Sequence, residues 1–160
     1  MTTLFIIMLS FFFGYCGFIY FLYGVQSSVS ESYYRLPRNL QWLFTIATWG
    51  YALPAMIIGL QLTDNGLVFL AGAGIAFVGA SPAFHSLGLE KTVHIVGAII
   101  GITAMQVFLC VVGFWCITLS FAVVSGLLFV WKRTFQHYIW WVEIAAFISI
   151  ALFYAIKLTL

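Results

Sequence analysis

The sequence predicts an all-α polytopic transmembrane helical bundle, and three observations carry that prediction. The first is composition. Of 160 residues, 64% are hydrophobic and 6% are charged, where soluble domains carry about 25% charged residues. A chain this poor in charge cannot cover a water-facing surface, so the lipid bilayer is its outer solvent. The second is run length. Apolar stretches recur near the length of about 20 residues that one helix needs to cross the hydrocarbon. The third is that the polar residues gather in short connectors between those stretches. Together they give a single domain, 1–160, with six spans at about 4–25, 40–60, 67–87, 93–112, 114–131 and 138–156. The net charge of +2 is too small to argue for a nucleic-acid partner. The three cysteines, Cys16, Cys110 and Cys116, follow neither metal-motif nor disulfide-framework spacing. They read as small packing residues, with a Cys110–Cys116 bridge across a tight turn as the alternative.

The first span, 4–25, follows an uncharged Met-Thr-Thr start and exceeds the length of about 7–15 residues of a signal-peptide core. It reads as a retained span. Gly14, Gly17 and Gly24 fall near one face and are expected to let another helix approach. The connector 26–38 is the longest polar segment. Tyr33 and Tyr34 suit a membrane interface, and Pro37 disfavours helix in the residue before it. The segment Ser30-Glu31-Ser32 reads as a solvated connector, with a helix cap or a turn folded back towards the bundle mouth as the alternatives.

The second span, 40–60, contains Pro54, which removes one intrahelical hydrogen bond and crowds the Gly50 carbonyl. The sequence Thr63-Asp64-Asn65-Gly66 is turn chemistry. The third span, 67–87, places Gly72, Ala76, Gly79, Ala80 and Ala83 at helical spacing, so it is expected to sit against other helices. Ser81 and His85, four apart, are expected on one helix face. Pro82 frees the Val78 carbonyl beside them.

The fourth span, 93–112, begins with His94 and carries a Gly97/Gly101 pair on nearly the same face. Its Gln106 is expected to bond across helices. Residues 93–130 contain no charge, so two spans must fit there, with a break expected at Gly113. The fifth span is then 114–131 and the sixth 138–156. Five of the six basic residues (Arg35, Arg38, Lys91, Lys132 and Arg133) fall on the 1–2, 3–4 and 5–6 connections. The positive-inside rule makes those connections cytoplasmic in a multi-pass cell-membrane protein and puts both termini outside.

This topology gathers the titratable groups on the inner side. Glu143 is the sharpest case, about 9 Å along the sixth span from His137 at 1.5 Å per residue. A carboxylate at that depth must be protonated, paired or metal-bound, and intramembrane ionisable groups are candidates for function. His94 and His85 are its expected partners. Glu31, Ser32 and His137 complete the polar cluster at the connectors.

The segment Ser81-Pro82-Ala83-Phe84-His85, preceded by Val78-Gly79-Ala80, resembles the Ser-x-x-Phe-His signature of the alkaline ceramidase family. That family belongs to a wider group of seven-helix membrane hydrolases that includes the adiponectin-receptor-like proteins. The resemblance covers about eight residues and implies a histidine-held zinc, with a serine and an acidic residue nearby, cleaving amide bonds in lipids. Carried over, His85 resembles the metal-binding histidine and Ser81 the paired serine. The family's late His-x-x-x-His pair and its seventh helix have no counterpart, and His137 stands alone in the last third.

Three functions follow as expectations. One is a non-catalytic bundle for binding, assembly or small-solute handling, whose polar cluster is structural or proton-responsive. A homo-oligomer would supply the symmetry a transporter needs. The second is a zinc-dependent lipid hydrolase with Ser81 and Glu143 as catalytic residues and His85, His94 and Glu143 as metal ligands, three protein ligands and a water suiting catalysis. The third is a bis-histidine haem protein using His85 and His94 as axial ligands.

Overall fold

The computed structural model describes residues 1–85, 88–132 and 136–160. It is an all-α bundle. Its helices are α1 (Thr2–Tyr23), the single turn α2 (Ser32–Arg35), α3 (Trp42–Thr63), α4 (Leu67–Ala80), α5 (Leu89–Val111), α6 (Trp115–Val130) and α7 (Tyr138–Thr159). A 3-10 turn, Arg38–Leu40, leads into α3. The stretches Thr2–Tyr23, Arg38–Thr63, Leu89–Val111 and Tyr138–Thr159 are long and apolar enough to cross a membrane; α4 and α6 are shorter apolar helices.

Neighbours in sequence are neighbours in space. Helix α1 packs on α3, α3 on α4, and α4 most extensively on α5. Helix α7 closes the bundle by touching α1, α3 and α5, and α6 lies outside against α7. Two tyrosines bind α7 to α3. Tyr51 Oη donates to the Phe147 carbonyl (2.8 Å) and Tyr154 Oη to the Ala55 carbonyl (2.6 Å). Both side chains are fully buried, so each hydroxyl has its required partner. Phe12 stacks on Phe147 with ring centroids 3.8 Å apart, joining α1 to the same seam.

The α4–α5 contact is made by glycine. A Cβ on Gly97 would meet the Gly74 carbonyl oxygen at 2.8 Å, and one on Gly74 would strike the Gly101 backbone. Small residues permit such approach, and close packing replaces the hydrophobic drive that lipid removes. Gly74, which completes this contact, lies outside the small-residue set read from sequence. In α1 the expectation fails. A side chain at Gly14, Gly17 or Gly24 would meet nothing within 4 Å; α1 meets α3 by laying Phe11 over Gly50 of α3. The glycine that permits the approach is on the partner helix.

The chain reverses at Gly113, whose φ of +85° is a left-handed value that glycine adopts without steric cost. Cys110 and Cys116 flank this turn as free, exposed thiols, so the alternative of a bridge is not realised. Beyond the turn, Phe108, Phe114 and Phe153 form an apolar knot. The Gln106 side chain, expected to bond across helices, has neither amide atom partnered; its backbone carbonyl instead accepts from Thr118 Oγ1 at 3.2 Å.

The third span is shorter than the sequence suggested. Helix α4 stops at Ala80, and Ser81 takes φ −124°, ψ 61°. Pro82 is the cause, since its ring crowds the residue before it out of the helical region. Ser81 and His85 therefore do not share a helix face. The end of the predicted span at 86–87, and residues 133–135 of the fifth connection with Arg133, lie outside the described residues.

Candidate functional site

The 24–38 connector is not a solvated loop. It folds back into the mouth of the bundle, where Gln26, Val29, Ser30, Ser32 and Leu36 are all buried. Buried backbone needs hydrogen-bond partners, and two spanning helices supply them. Glu143 of α7 accepts from the Val29 N–H (2.5 Å), and the adjoining Ser30 N–H also faces that carboxylate. Tyr15 of α1 and Ser32 join their hydroxyls at 2.6 Å, and Ser32 Oγ donates to the Val29 carbonyl. The turn is thus pinned at both backbone and side chains.

His94 of α5 is held from both ring nitrogens. Its Nδ1 lies 2.8 Å from the Ser81 carbonyl oxygen and its Nε2 lies 3.1 Å from Ser30 Oγ. A carbonyl only accepts, so Nδ1 carries the proton; in the neutral ring, Nε2 then accepts from the Ser30 hydroxyl. The Val78 carbonyl, freed by Pro82, also faces this ring. The imidazole beside the proline-broken helix end is therefore His94, where His85 was expected. Phe84 stacks on the His94 ring at 4.6 Å. Helix α3 caps the same end of α4: Thr45 Oγ1 donates to the Gly79 carbonyl (2.8 Å) and Trp49 Nε1 to the Ala76 carbonyl (2.9 Å).

His85 lies on the outer side of the connector. Its Nε2 is 3.0 Å from Glu31 Oε2. Its ring lies flat on Tyr34, with centroids 4.1 Å apart, and its backbone N–H donates to Tyr34 Oη at 2.6 Å. His137, half-buried at the start of α7, lines a separate polar cavity with Glu31 and Arg35.

The seven residues singled out from sequence thus divide. His94 and Glu143 approach a common turn, yet the Val29–Ser30 backbone stands between them and each bonds to that turn. Ser81 contributes its carbonyl, not its hydroxyl. His85 and Glu31 pair with each other, Ser32 belongs to the Tyr15 contact, and His137 is apart. Ser30 was named with the connector's fold-back reading but not placed in the candidate site. Its signal was the run of polar residues at 26–32, too long for a simple hairpin between two spans.

These donors do not fit a resident zinc ion. Among the described residues, no three His, Cys, Asp or Glu side chains are grouped to hold a metal. The reason is visible in the bonding: both His94 nitrogens face protein oxygens, His85 Nε2 faces Glu31, and Glu143 takes backbone N–H groups. The same bonding removes the paired axial ligands of a haem, and Phe84 packs against both histidine rings.

The site opens into a cleft of about 790 Å³ between α5 and α7. Its polar end is Ser28, Ser30, His85, Lys91, His94 and Glu143; its apolar walls are Phe84, Ile95, Ala98, Ile99 and Ile139. Ile95, Ile99 and Ile139 are exposed. Helices α5 and α7 meet at the Phe108–Phe153 contact, and the cleft lies nearer the connector. No protein-family model, curated protein or solved structure matches the chain.

Proposed function

We propose that this chain is a six-span membrane protein that binds a single-chain amphiphile in the α5–α7 cleft. The connector and the 88-region lie on the cytoplasmic face and both termini lie outside, following the bias of basic residues. One observation carries the reading: a cleft of ligand size that is polar at the connector end and aliphatic along its walls. Ser28 and Ser30 are hydrogen-bonding groups for a head, with the Ser30 hydroxyl oriented by His94, and Ile95, Ile99 and Ile139 line a path for a tail that is continuous with lipid. The role is binding or handling of the amphiphile.

The test is photolabelling in lipid nanodiscs with a monoacylglycerol carrying a diazirine on its tail. Label is expected on the segments holding Ile95, Ile99 and Ile139, and Ile99→Trp is expected to reduce it. Even labelling of the exposed α6 positions Leu119, Val123 and Leu127, unaffected by Ile99→Trp, would overturn the assignment.

A second reading rests on the relay Ser30 Oγ–His94–Ser81 carbonyl. A hydroxyl beside a base that is oriented by a third group is the arrangement of an activated nucleophile. Acting on an acyl ester, Ser30 Oγ would bond to the carbonyl carbon and pass its proton to His94 Nε2. His94 would return that proton to the departing alcohol, and water would then release the acid. A fluorophosphonate probe separates the readings: a Ser30 adduct that disappears in His94→Ala favours hydrolysis, and photolabelling without an adduct leaves binding alone.

A further inference from the structure

A second cavity, of about 360 Å³, lies on the other side of the connector. Its lining is Tyr23 at the end of α1, Val25, Gln26, Ser27, Glu31 and Arg35 of the connector, and His137 at the start of α7. Unlike the α5–α7 cleft, this cavity is about half polar, and it lies beside the end of α1 and the start of α7.

Three observations converge on its chemistry. Gln26 is buried and locked: its Nε2 donates to the Tyr23 carbonyl (2.8 Å) and the Gly24 carbonyl (3.1 Å). Its remaining oxygen accepts from Arg35 Nε at 3.1 Å. This fixes the guanidinium plane by its inner nitrogen and leaves the two terminal nitrogens for another acceptor. A guanidinium so presented matches the paired oxygens of a phosphate. The second observation is His137. Its Nδ1 is shielded from solvent and, among the described residues, has no hydrogen-bond partner. Buried polar atoms rarely go unpaired, so the His137 ring, which lines the cavity, keeps an unused hydrogen-bonding nitrogen. The third is Glu31 on the same wall. Its Oε2 is shared with His85, but a carboxylate offers about four acceptor positions, so it retains capacity for a cation.

A cavity with a presented guanidinium, an unpaired imidazole nitrogen and a carboxylate is complementary to a zwitterion. We propose that it binds a phosphoethanolamine group, with the phosphate on Arg35 and His137 and the ammonium on Glu31. The same head chemistry occurs on a membrane phospholipid and on free phosphoethanolamine. A lone anion would face Glu31 uncompensated, and a lone cation would face Arg35; the zwitterion satisfies both. This site touches the amphiphile cleft through the Glu31–His85 pair but does not need its ligand, and stands if that reading fails.

Native mass spectrometry of detergent-solubilised protein tests it, titrating phosphatidylethanolamine, phosphatidylglycerol and free phosphoethanolamine separately. Phosphatidylethanolamine is expected to bind more tightly than phosphatidylglycerol. Arg35→Gln is expected to weaken it about tenfold, the equivalent of about 1.4 kcal/mol. Glu31→Gln, which keeps the shape and can still bond His85, is expected to abolish the preference over phosphatidylglycerol while leaving phosphatidylglycerol binding in place. Competition by free phosphoethanolamine would identify the head group alone as the ligand; its failure to compete, with phosphatidylethanolamine bound, would require the lipid chains too. Equal binding of both lipids, unchanged in Arg35→Gln, would overturn the proposal. Helical circular dichroism of each variant distinguishes a lost site from a lost fold.

Discussion

Helix α5 has two faces that behave in opposite ways. Towards α4 it presents Gly97 and Gly101, and the two backbones touch. Towards α7 it presents Lys91, Ile95 and Ile99, and the helices stand apart around a cleft. The difference shows how a bundle in lipid makes room without a cavity-forming insertion. Where small residues align, van der Waals contact and backbone proximity hold helices together. Where branched aliphatic side chains line the cleft instead, lipid competes on equal terms and the space stays open. The rigid face fixes the position of His94; the open face gives that position access.

The largest effect should come from breaking the rigid face. Gly97→Leu forces a side chain against the Gly74 carbonyl, which is backbone and cannot swing away. Overpacking of this kind costs about 1–3 kcal/mol and sometimes more, and the upper end is expected in detergent unfolding titrations. Glu143→Ala comes next. It leaves the buried Val29 N–H unpaired at a cost of about 1–3 kcal/mol. Limited proteolysis should then cut within 24–38 while α4 and α5 stay resistant. Third, His94→Phe keeps the ring packing on Phe84 but removes both polar bonds. Monoacylglycerol photolabelling should fall about tenfold, a difference of about 1.4 kcal/mol. The smallest effect is expected on the lipid-side glycines of α1. Gly14→Ala on α1 meets open space, so stability should be unchanged or raised by up to about 1 kcal/mol from the gain in helix propensity.

The bundle was legible because lipid imposes a simple rule: long uncharged stretches separated by short polar connectors. The turn at Gly113 was legible for the same reason, since residues 93–130 exceed one crossing. The α4–α5 contact was half legible. The Gly97/Gly101 pair stood out, but its partner Gly74 did not, because a glycine-rich helix does not say which glycine faces which neighbour. Gly14 and Gly17 misled for that reason. The site was legible in kind more than in arrangement. His94 and Glu143 were conspicuous as polar groups in apolar spans. Their true partners, the Ser30 hydroxyl, the Ser81 carbonyl and the Val29 N–H, include two backbone groups that every residue carries. Only the early end of α4 at Pro82 and the inward fold of the connector bring them there, and neither follows from periodicity. The length of the polar run at 26–32 was the one available sign.

The connector is a structural part of the bundle core, held there by Glu143. Residue-resolved amide hydrogen exchange at Val29 and Ser30, in nanodiscs, tests it most directly. Both amides should be protected in the unaltered protein. In Glu143→Ala their protection should collapse while amides of α4 and α5 keep theirs. Exchange at Val29 and Ser30 as fast as in an open loop, in the unaltered protein, would contradict the account.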